Sequence, residues 1–352
     1  MPGDGRSEWD GFLGADELPA EFNPPRGWVA SANEMNLPRS YPHEEKKVGF
    51  EWYAPHRYQR IVEVLRENPN FGLEDSVKLQ TDYLSVPARR IVTRLRSLRP
   101  ADPKVEQALK MLTGWDCVLR ADSAPAALFE VWYRLYLREA LLTRALEGIV
   151  EPGRLAEAVS RMMQVEDQAG DPRMDLEILE KLDARLGPEA VDEVMSSSLW
   201  EATERLERLL GADWGEWGKL HHAFLAHPLS PLVERRTRGR LDVGPAPRGG
   251  SGDTVGNTAY RLEDFRQAGG SSWRVVVDVG GWDDSLIMNS PGQSGDPASP
   301  HYSDLFRPWA RDEASRLRPN GGSCSSQRHG ERVPRPSGPG SSCFHRCEPL
   351  PG

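Results

Sequence analysis

The residues near the start of the chain that are best suited to chemistry are side-chain amides. Residues 24–27, PPRG, have the composition of a tight turn, because proline fixes φ and glycine accepts positive φ. The run WVASAN that follows alternates like a short strand and ends on Asn33, with Asn36 three residues further on. An amide donates hydrogen bonds without titrating. The segment is therefore either the rim of a binding site or an ordinary loop.

Histidines in the middle of the chain suggest a metal site, and their spacing argues against one. His221, His222 and His227 lie at i, i+1 and i+6. This spacing does not place three ligands on one helical face, and no carboxylate completes a recognisable ligand set. A packed or solvated histidine cluster ahead of Pro228 is therefore favoured over a metal centre.

The cysteines predict neither a disulfide framework nor a zinc site. Of the four cysteines, only Cys117 lies in the body of the chain, and the other three fall after residue 320. The segment CFHRC at 343–347 has no second ligand pair at the spacing that zinc sites use.

The bulk composition excludes several classes of protein. A chain of 352 residues with 38% hydrophobic residues and 11 tryptophans is long and apolar enough for a real core. A net charge of −9 gives no reason to expect nucleic-acid binding. No apolar run is long enough to span a bilayer, because Glu130, Arg134 and Arg138 interrupt the longest helical candidate. The acidic N-terminus lacks the pattern of a signal peptide.

The texture of the chain divides it into regions. Residues 1–20 are expected to be a flexible acidic N-terminus, and residues 21–310 to form the folded domain. Within that domain, periodicity predicts mostly helix over 56–227 and strands with turns over 253–309. The Ser/Gly/Pro/Arg mixture of 311–352 predicts a disordered tail. Strand pieces on both sides of a long helical insertion predict an α+β fold whose sheet is completed by distant segments.

Individual elements are also predicted by their patterns. One helix carries its apolar residues on a single face: Leu128, Val131, Trp132, Leu135 and Leu142. A second helix begins at Glu151-Pro152, and a third ends at Gly211. Residues 272–279 and 285–289 read as the two strands of a hairpin around the turn GGWDD.

Three motifs, in this order, resemble the penicillin acylase family. They are the G-x5-N-x2-N pattern at 27–36, GDTVGNTAYR at 252–261 and PGQSGDPASPHYSDLFRPW at 291–309. GQSG followed by SPHYSD is the most specific of them. The resemblance covers roughly residues 20–310 and corresponds to the C-terminal part of the family's β chain. It implies an N-terminal-nucleophile (Ntn) hydrolase fold, here a partial αββα sandwich with a long helical insertion between N- and C-terminal β segments.

The resemblance also implies a mechanism. Family precursors cut themselves to expose a serine, which attacks an amide carbonyl while its own α-amine acts as base through a water. The resulting oxyanion needs prepositioned donors. The position that matches the family's donor is Asn33, and the supporting arginine matches Arg57, with Arg60 one helical turn on as the fallback. The chemistry requires no cofactor.

Two smaller features each allow a functional and a structural interpretation. Glu44 and Glu45 lie where the resemblance implies a calcium-binding carboxylate in some relatives, so a structural calcium ion is an option for the intact relatives. A hard cation needs several oxygen ligands, most of which would lie upstream, so solvated acids are favoured. His301 and Tyr302 either line the acyl pocket or fix the loop after GQSG, and the second role is favoured.

The serine is where the sequence departs from the family pattern. The family nucleophile lies in a Gly-Ser-Asn junction far upstream of the asparagine, and no such motif precedes Asn33. Ser7, in GRSEW, has neither neighbour. We therefore expect a fragment that is inactive by itself, whose partners are the missing α chain and the N-terminal part of the β chain.

The intact relative is expected to release an acyl group from a small-molecule amide, either a β-lactam, an N-acyl homoserine lactone or a lipopeptide. No nucleic-acid or membrane partner is expected, and intact members of the family are typically periplasmic or secreted. The alternative is a non-enzymatic helical interaction protein or a decayed remnant.

Overall fold

The computed structural model describes the backbone of residues 3–6, 8, 11–49, 52–169, 172–212 and 214–317, without the side chains of 164–169 and 172–175. Most of the range predicted as a tail, from residue 318 onward, lies outside the described residues. None of the helices searched among the described residues is long and apolar enough to cross a membrane.

Helices dominate the middle of the chain, as the periodicity predicts. The α-helices are α1 (His56–Glu67), α2 (Leu73–Gln80), α3 (Val86–Leu95), α4 (Pro103–Thr113), α5 (Ala124–Trp132), α6 (Arg138–Leu146), α7 (Leu155–Ala169), α8 (Pro172–Leu186), α9 (Pro188–Leu210), α10 (Trp217–Leu220), α11 (Arg235–Leu241) and α12 (Phe306–Ala310). The strands are β1 (His222–Leu225), β2 (Val243–Pro247), β3 (Arg274–Val276), β4 (Leu286–Met288) and β5 (Ser315–Arg316).

Side-chain caps fix where the central helices begin. Ser85 accepts a hydrogen bond from the backbone N–H of Ala88 at the start of α3, and Ser123 accepts one from Ala126 at the start of α5. Asp102 caps α4 in the same way. Each cap satisfies N–H groups that have no partner inside the helix. At the other end, α9 stops before Gly211, whose φ of 91° suits glycine.

The hydrophobic core is built around α5. Its residues Leu128, Phe129, Val131 and Trp132 are fully buried, and α5 packs against α9. The indole N–H of Trp132 donates to the hydroxyl of Ser198 on α9 at 3.0 Å, so the one polar atom of that ring is satisfied inside the core.

A π-helical turn interrupts the helix that the sequence predicts as continuous. Residues Tyr133–Leu137 form this turn between α5 and α6. In a straight α-helix, residues i and i+8 lie roughly 80° apart around the axis, because 3.6 residues complete a turn. A π turn, with i to i+5 hydrogen bonds, takes more residues per turn and offsets this drift. The charged residues at 130, 134 and 138 thereby stay close to one face.

The strands form two small antiparallel sheets. In the first, β1 pairs with β2, and in the second β4 lies between β3 and β5. The predicted hairpin is present, with Val275 opposite Ile287. The strand predicted at 28–32 is wrong: those residues have no strand pairing, and their backbone runs as irregular structure. The four-layer sandwich stays a prediction.

The last segment that the structure describes is held by a cluster of charged side chains. Arg248, which is 3% exposed, donates to Asp312 at 3.1 Å, and Arg274 donates to the same carboxylate at 2.8 Å. The hydroxyl of Tyr83 donates to the other oxygen of Asp312. The guanidinium of Arg248 also lies over the ring of Trp309, 4.6 Å from its centroid.

This cluster corrects the predicted start of the tail at residue 311. Asp312 is part of the cluster, and β5 pairs with β4 beyond it. The composition of residues 311–317 predicts a tail because it reveals neither the short strand β5 nor the contacts of Asp312 with Arg248, Arg274 and Tyr83.

We expect Asp312→Asn to lower the free energy of unfolding by about 3 kcal/mol, because it leaves two arginine side chains without their counter-charge in a poorly solvated site. Asparagine tolerates the φ of 62° at this position, so the substitution tests charge rather than backbone strain. Urea denaturation measures the change.

The matched control is Asp304→Asn, whose carboxylate is 40% exposed and pairs with His301. We expect a change of less than about 0.5 kcal/mol there. Equal losses in the two variants would contradict a special role for the Asp312 cluster.

Candidate active site

Asn33 follows the predicted turn at residues 24–27, which the structure contains. The N–H of Gly27 donates to the carbonyl of Pro24 at 2.9 Å, and Gly27 has a φ of 79°. Asn33 itself adopts a left-handed φ of 65°, a conformation that asparagine tolerates better than most residues. Its carbonyl accepts from the N–H of Tyr53 at 2.9 Å. The buried carboxylate of Glu34 accepts a hydrogen bond from the N–H of Ala32 at 2.7 Å and fixes the bend at residues 32–34.

Arg57, in the first turn of α1, orients the amide of Asn33. Its Nη2 donates to Oδ1 of Asn33 at 3.0 Å. An amide oxygen can only accept, so this bond fixes the orientation of the group and makes the NH2 its donor end. The ring of Tyr53 lies 5.5 Å from the guanidinium carbon and supports its position.

Arg60, the fallback for the supporting arginine, is committed elsewhere. It pairs with Asp82 at 2.7 Å and with Glu63 at 2.8 Å. The two arginines are one helical turn apart, but only Arg57 reaches Asn33. The structure therefore brings Asn33 and Arg57 together and keeps Arg60 on a separate charge network.

Asn33 and Arg57 face a cleft with a volume of about 610 Å³. Its other walls come from the π turn with the start of α6, and from the segment that contains the GDTVGNTAY motif. The lining residues are Asn33, Tyr53, Arg57, Arg134, Arg138, Gly252, Asp253, Val255, Asn257, Ala259, Tyr260, Leu262, Gly269, Gly270 and Ser271. Two of the three recognised motifs, far apart in sequence, thus line one cavity.

The wall formed by residues 249–270 is held by hydrogen bonds to its backbone and by closely packed glycines. The hydroxyl of Thr258 donates to the carbonyl of Gly249 at 2.7 Å, and the indole of Trp217 donates to Gly250 at 3.0 Å. Gly250 and Gly270 have φ angles of 80° and 124°, and a Cβ at Gly270 would collide with the carbonyl of Asn257. The glycines are needed there for close backbone approach as well as for conformation.

Buried charges lie behind and within this cleft. Arg134 pairs with Asp253 at 3.1 Å, and their side chains are 14% and 8% exposed. Burial opposes the positive charge of Arg134, but Asp253 and the neighbouring Tyr260 and Glu130 raise its pKa well above its usual range. For Arg57, burial lowers the pKa, and Asp253 is the first of the anionic groups that oppose this.

Glu130, on α5, is the deepest of these groups. It is 1% exposed, and one of its carboxylate oxygens accepts a hydrogen bond from the hydroxyl of Tyr260. Burial raises the pKa of Glu130 to about 7, against the opposing effects of Arg134 and of the bond from Tyr260. The carboxyl group therefore changes its charge near neutral pH.

The histidines form no metal site. His221 is fully buried, and its Nδ1 donates to the carbonyl of Phe265 at 2.9 Å. Burial lowers the pKa of His221 to about 3, so its ring is neutral. His222 bonds the carbonyl of Leu220, and Nδ1 of His227 accepts from a backbone N–H. Within the part of the chain that the structure describes, no group of three His, Cys, Asp or Glu side chains could hold a metal ion.

The remaining candidates from the sequence lie outside the cleft. The hydroxyl of Tyr302 donates to the carbonyl of Leu241, and His301 bonds Asp304, which agrees with a role in fixing the loop after GQSG. Glu44 and Glu45 are exposed, as expected for solvated acids.

Sequence reasoning missed the residues that contribute most charge to the cleft. In the sequence, the only conclusion drawn from Glu130, Arg134 and Arg138 is that their helix does not span a membrane. The available signal was their spacing of four residues within an otherwise apolar helix, because charges aligned on one buried face need a partner there. Asp253 was inside a recognised motif but was given no role.

The comparisons with known proteins agree on one family. The family model described as penicillin amidase matches residues 1–320. The penicillin acylase 2 proenzyme of Pseudomonas sp. (strain SE83) is 29% identical over 325 residues, covering 88% of this chain and 39% of the relative. The acyl-homoserine lactone acylase QuiP of Pseudomonas syringae pv. syringae (strain B728a) is 28% identical over 332 residues, with the same coverage of 88% and 39%.

A solved structure supports the same fold. The thermostable penicillin G acylase from Alcaligenes faecalis aligns with a TM-score of 0.51 at 20% identity, covering 99% of this chain and 62% of that chain. The chain thus spans 39% of the length of the two curated relatives above.

The raised pKa of Glu130 predicts how stability depends on pH. Between the ordinary value of 4.5 and about 7, the native state holds a proton that the unfolded state has released. The free energy of unfolding therefore falls as pH rises through this window. We expect wild type to lose on the order of 3 kcal/mol relative to Glu130→Gln across it, and no more above it.

Urea denaturation at a series of pH values measures this difference. Glu139→Gln, an exposed carboxylate on α6, is the control and should keep the wild-type pH profile. A difference between wild type and Glu130→Gln that does not change with pH would show that Glu130 does not titrate in this window.

Proposed function

This chain belongs to the penicillin amidase family, and we propose that its cleft stabilises the oxyanion formed when a small-molecule amide is hydrolysed. The observation that carries the proposal is the hydrogen bond from Arg57 to Oδ1 of Asn33. It turns the amide so that its NH2 is the end available to a reacting oxygen. Donors fixed before the reaction stabilise developing charge without reorganisation.

The remaining features of Asn33 agree with this role. The left-handed backbone, the bond to Tyr53 and the bend fixed by Glu34 hold the amide on the rim of the cleft. Arg57 adds a positive charge beside the amide, which favours a negatively charged oxygen there. A side chain held by both its backbone and its neighbour loses little freedom when a ligand binds.

The attacking group of the reaction is proposed to come from residues outside this sequence. No Gly-Ser-Asn tripeptide occurs in the 352 residues, and Ser7 lacks both flanking residues. One of the similar proteins is named as a proenzyme, and the chain covers 39% of it. We infer that the chain supplies the oxyanion side of an acylase of the Ntn-hydrolase type.

The substrate class follows from the relatives. The similar proteins are named for penicillin and for acyl-homoserine lactones, which share an amide between an acyl group and a compact ring. The proposed reaction is therefore hydrolysis of that linear amide. A non-enzymatic helical interaction protein is the alternative, and it would need no free donor in the cleft.

The purified full chain is expected to show no turnover of a chromogenic acyl-anilide. Loss of the nucleophile from a covalent mechanism costs about 10⁶-fold in a well-studied serine protease. Absorbance of the released aniline measures the rate. Turnover that is abolished by a serine-directed reagent would contradict the proposed location of the nucleophile.

The oxyanion donor is tested by binding of a product-like carboxylate. We expect phenylacetate or octanoate to bind in the cleft, and Asn33→Ala to weaken binding about tenfold through loss of a hydrogen bond to a charged oxygen. Titrations followed by NMR chemical shifts measure the dissociation constants.

The matched control is Asn36→Ala, an exposed amide outside the cleft. It should bind the carboxylate as wild type does. Equal effects of the two substitutions, or an Asn33→Ala variant that binds as wild type does, would contradict the role of Asn33.

A further inference from the structure

Charged groups of alternating sign connect the helical core to the proposed oxyanion donor. Glu130 lies deepest, Arg134 follows one helical turn later on the π turn, and Asp253 pairs with Arg134 at 3.1 Å. Asp253 in turn lines the same cleft as Arg57, and its charge acts on that guanidinium. Arg57 ends the row by donating to Asn33.

Stability alone is a poor reason for such a row. Burying charges costs free energy that their mutual attraction only partly returns, and apolar residues of similar size are often as stable. Here Glu130 lies in α5 between Phe129 and Val131, which are apolar and fully buried. The helix also changes to a π turn at this point, a feature frequent at functional sites.

The coupling within the row acts through competition for Arg134. When Glu130 is ionised, its carboxylate attracts the guanidinium of Arg134 away from Asp253, so Asp253 is freer to hold Arg57. When Glu130 is protonated, this competition ends, Arg134 pairs more closely with Asp253, and the hold on Arg57 weakens. In a poorly solvated site these interactions are strong compared with those in water.

We propose that Glu130 is a positioning residue that sets, through Arg134 and Asp253, how firmly Arg57 is held beside Asn33. Tyr260 is part of the same network, since its hydroxyl donates to Glu130 while its side chain lines the cleft. A role of this network in catalysis rests on the proposed function. The coupling between Glu130 and Arg57 does not.

Other charged or titratable groups lie near Glu130 and Arg57. Arg134, Tyr260 and Asp253 act on Glu130, and His221, which packs against Tyr260 with ring centroids 5.3 Å apart, is neutral. Around Arg57, the neighbours are Asp253, Tyr53 and Glu34, together with the adjacent His56 at the start of α1.

The Nε–Hε resonance of Arg57 reports the coupling directly in the full chain, without ligand or turnover. It is identified by its loss in Arg57→Lys and followed between about pH 5 and about pH 9, a range that brackets neutral pH. We expect it to shift with a midpoint close to the pKa of Glu130, about 7. In Glu130→Gln the resonance should no longer shift in this window.

Tyr260→Phe provides a second, directional test. The bond from Tyr260 lowers the pKa of Glu130, so its removal should move the midpoint of the Arg57 resonance to higher pH. A merely structural role of Tyr260 would not move this midpoint. This variant also decides the question if Glu130→Gln fails to fold. Glu139→Gln should titrate as wild type does.

Two results would overturn the proposal. A pH-dependent shift of the Arg57 resonance that persists in Glu130→Gln would assign the shift to another group. An unchanged midpoint of the Arg57 resonance in Tyr260→Phe would show that Tyr260 and Glu130 are not coupled to Arg57. Neither result touches the proposed function, because carboxylate binding by Asn33 is measured independently.

Discussion

The ion pair between Arg134 and Asp253 is the constraint on which the cleft depends. A charged side chain in an apolar helix cannot remain buried without a partner of opposite sign. The helix supplies Arg134 from its π turn, and the partner comes from a loop more than a hundred residues later in the sequence. The pair therefore ties the central helix to the GDTVGNTAY segment, and the space between them is the cleft.

Other contacts make that loop a fixed wall rather than a mobile cover. Trp217 and Thr258 bond its backbone, and Gly250 and Gly270 let the chain approach itself closely. The opposite rim is held by the hydrogen bond between Arg57 and Asn33. A donor on a rigid rim facing a rigid wall is the kind of preorganisation that oxyanion stabilisation requires.

Much of this organisation could be read from the sequence because it depends on local patterns. The apolar periodicity around Leu128 predicts α5, the glycine at 211 predicts the end of α9, and the hairpin signal predicts β3 and β4. The family resemblance, carried by short motifs, also predicts Asn33 and Arg57 as site residues. The strand at 28–32 failed because alternation over five residues is also compatible with an irregular segment.

The sequence by itself determined the helical middle, the family and the residue types available at the site. The tertiary structure decided which of those residues meet. The sequence favours Arg57 and keeps Arg60 as a fallback, and the path of α1 past Asn33 and Asp82 gives each arginine a different partner. Asp253 pairs with Arg134, and Tyr260 donates to Glu130, only when distant segments pack together. Burial then gives these charges effects that exposure to water would screen.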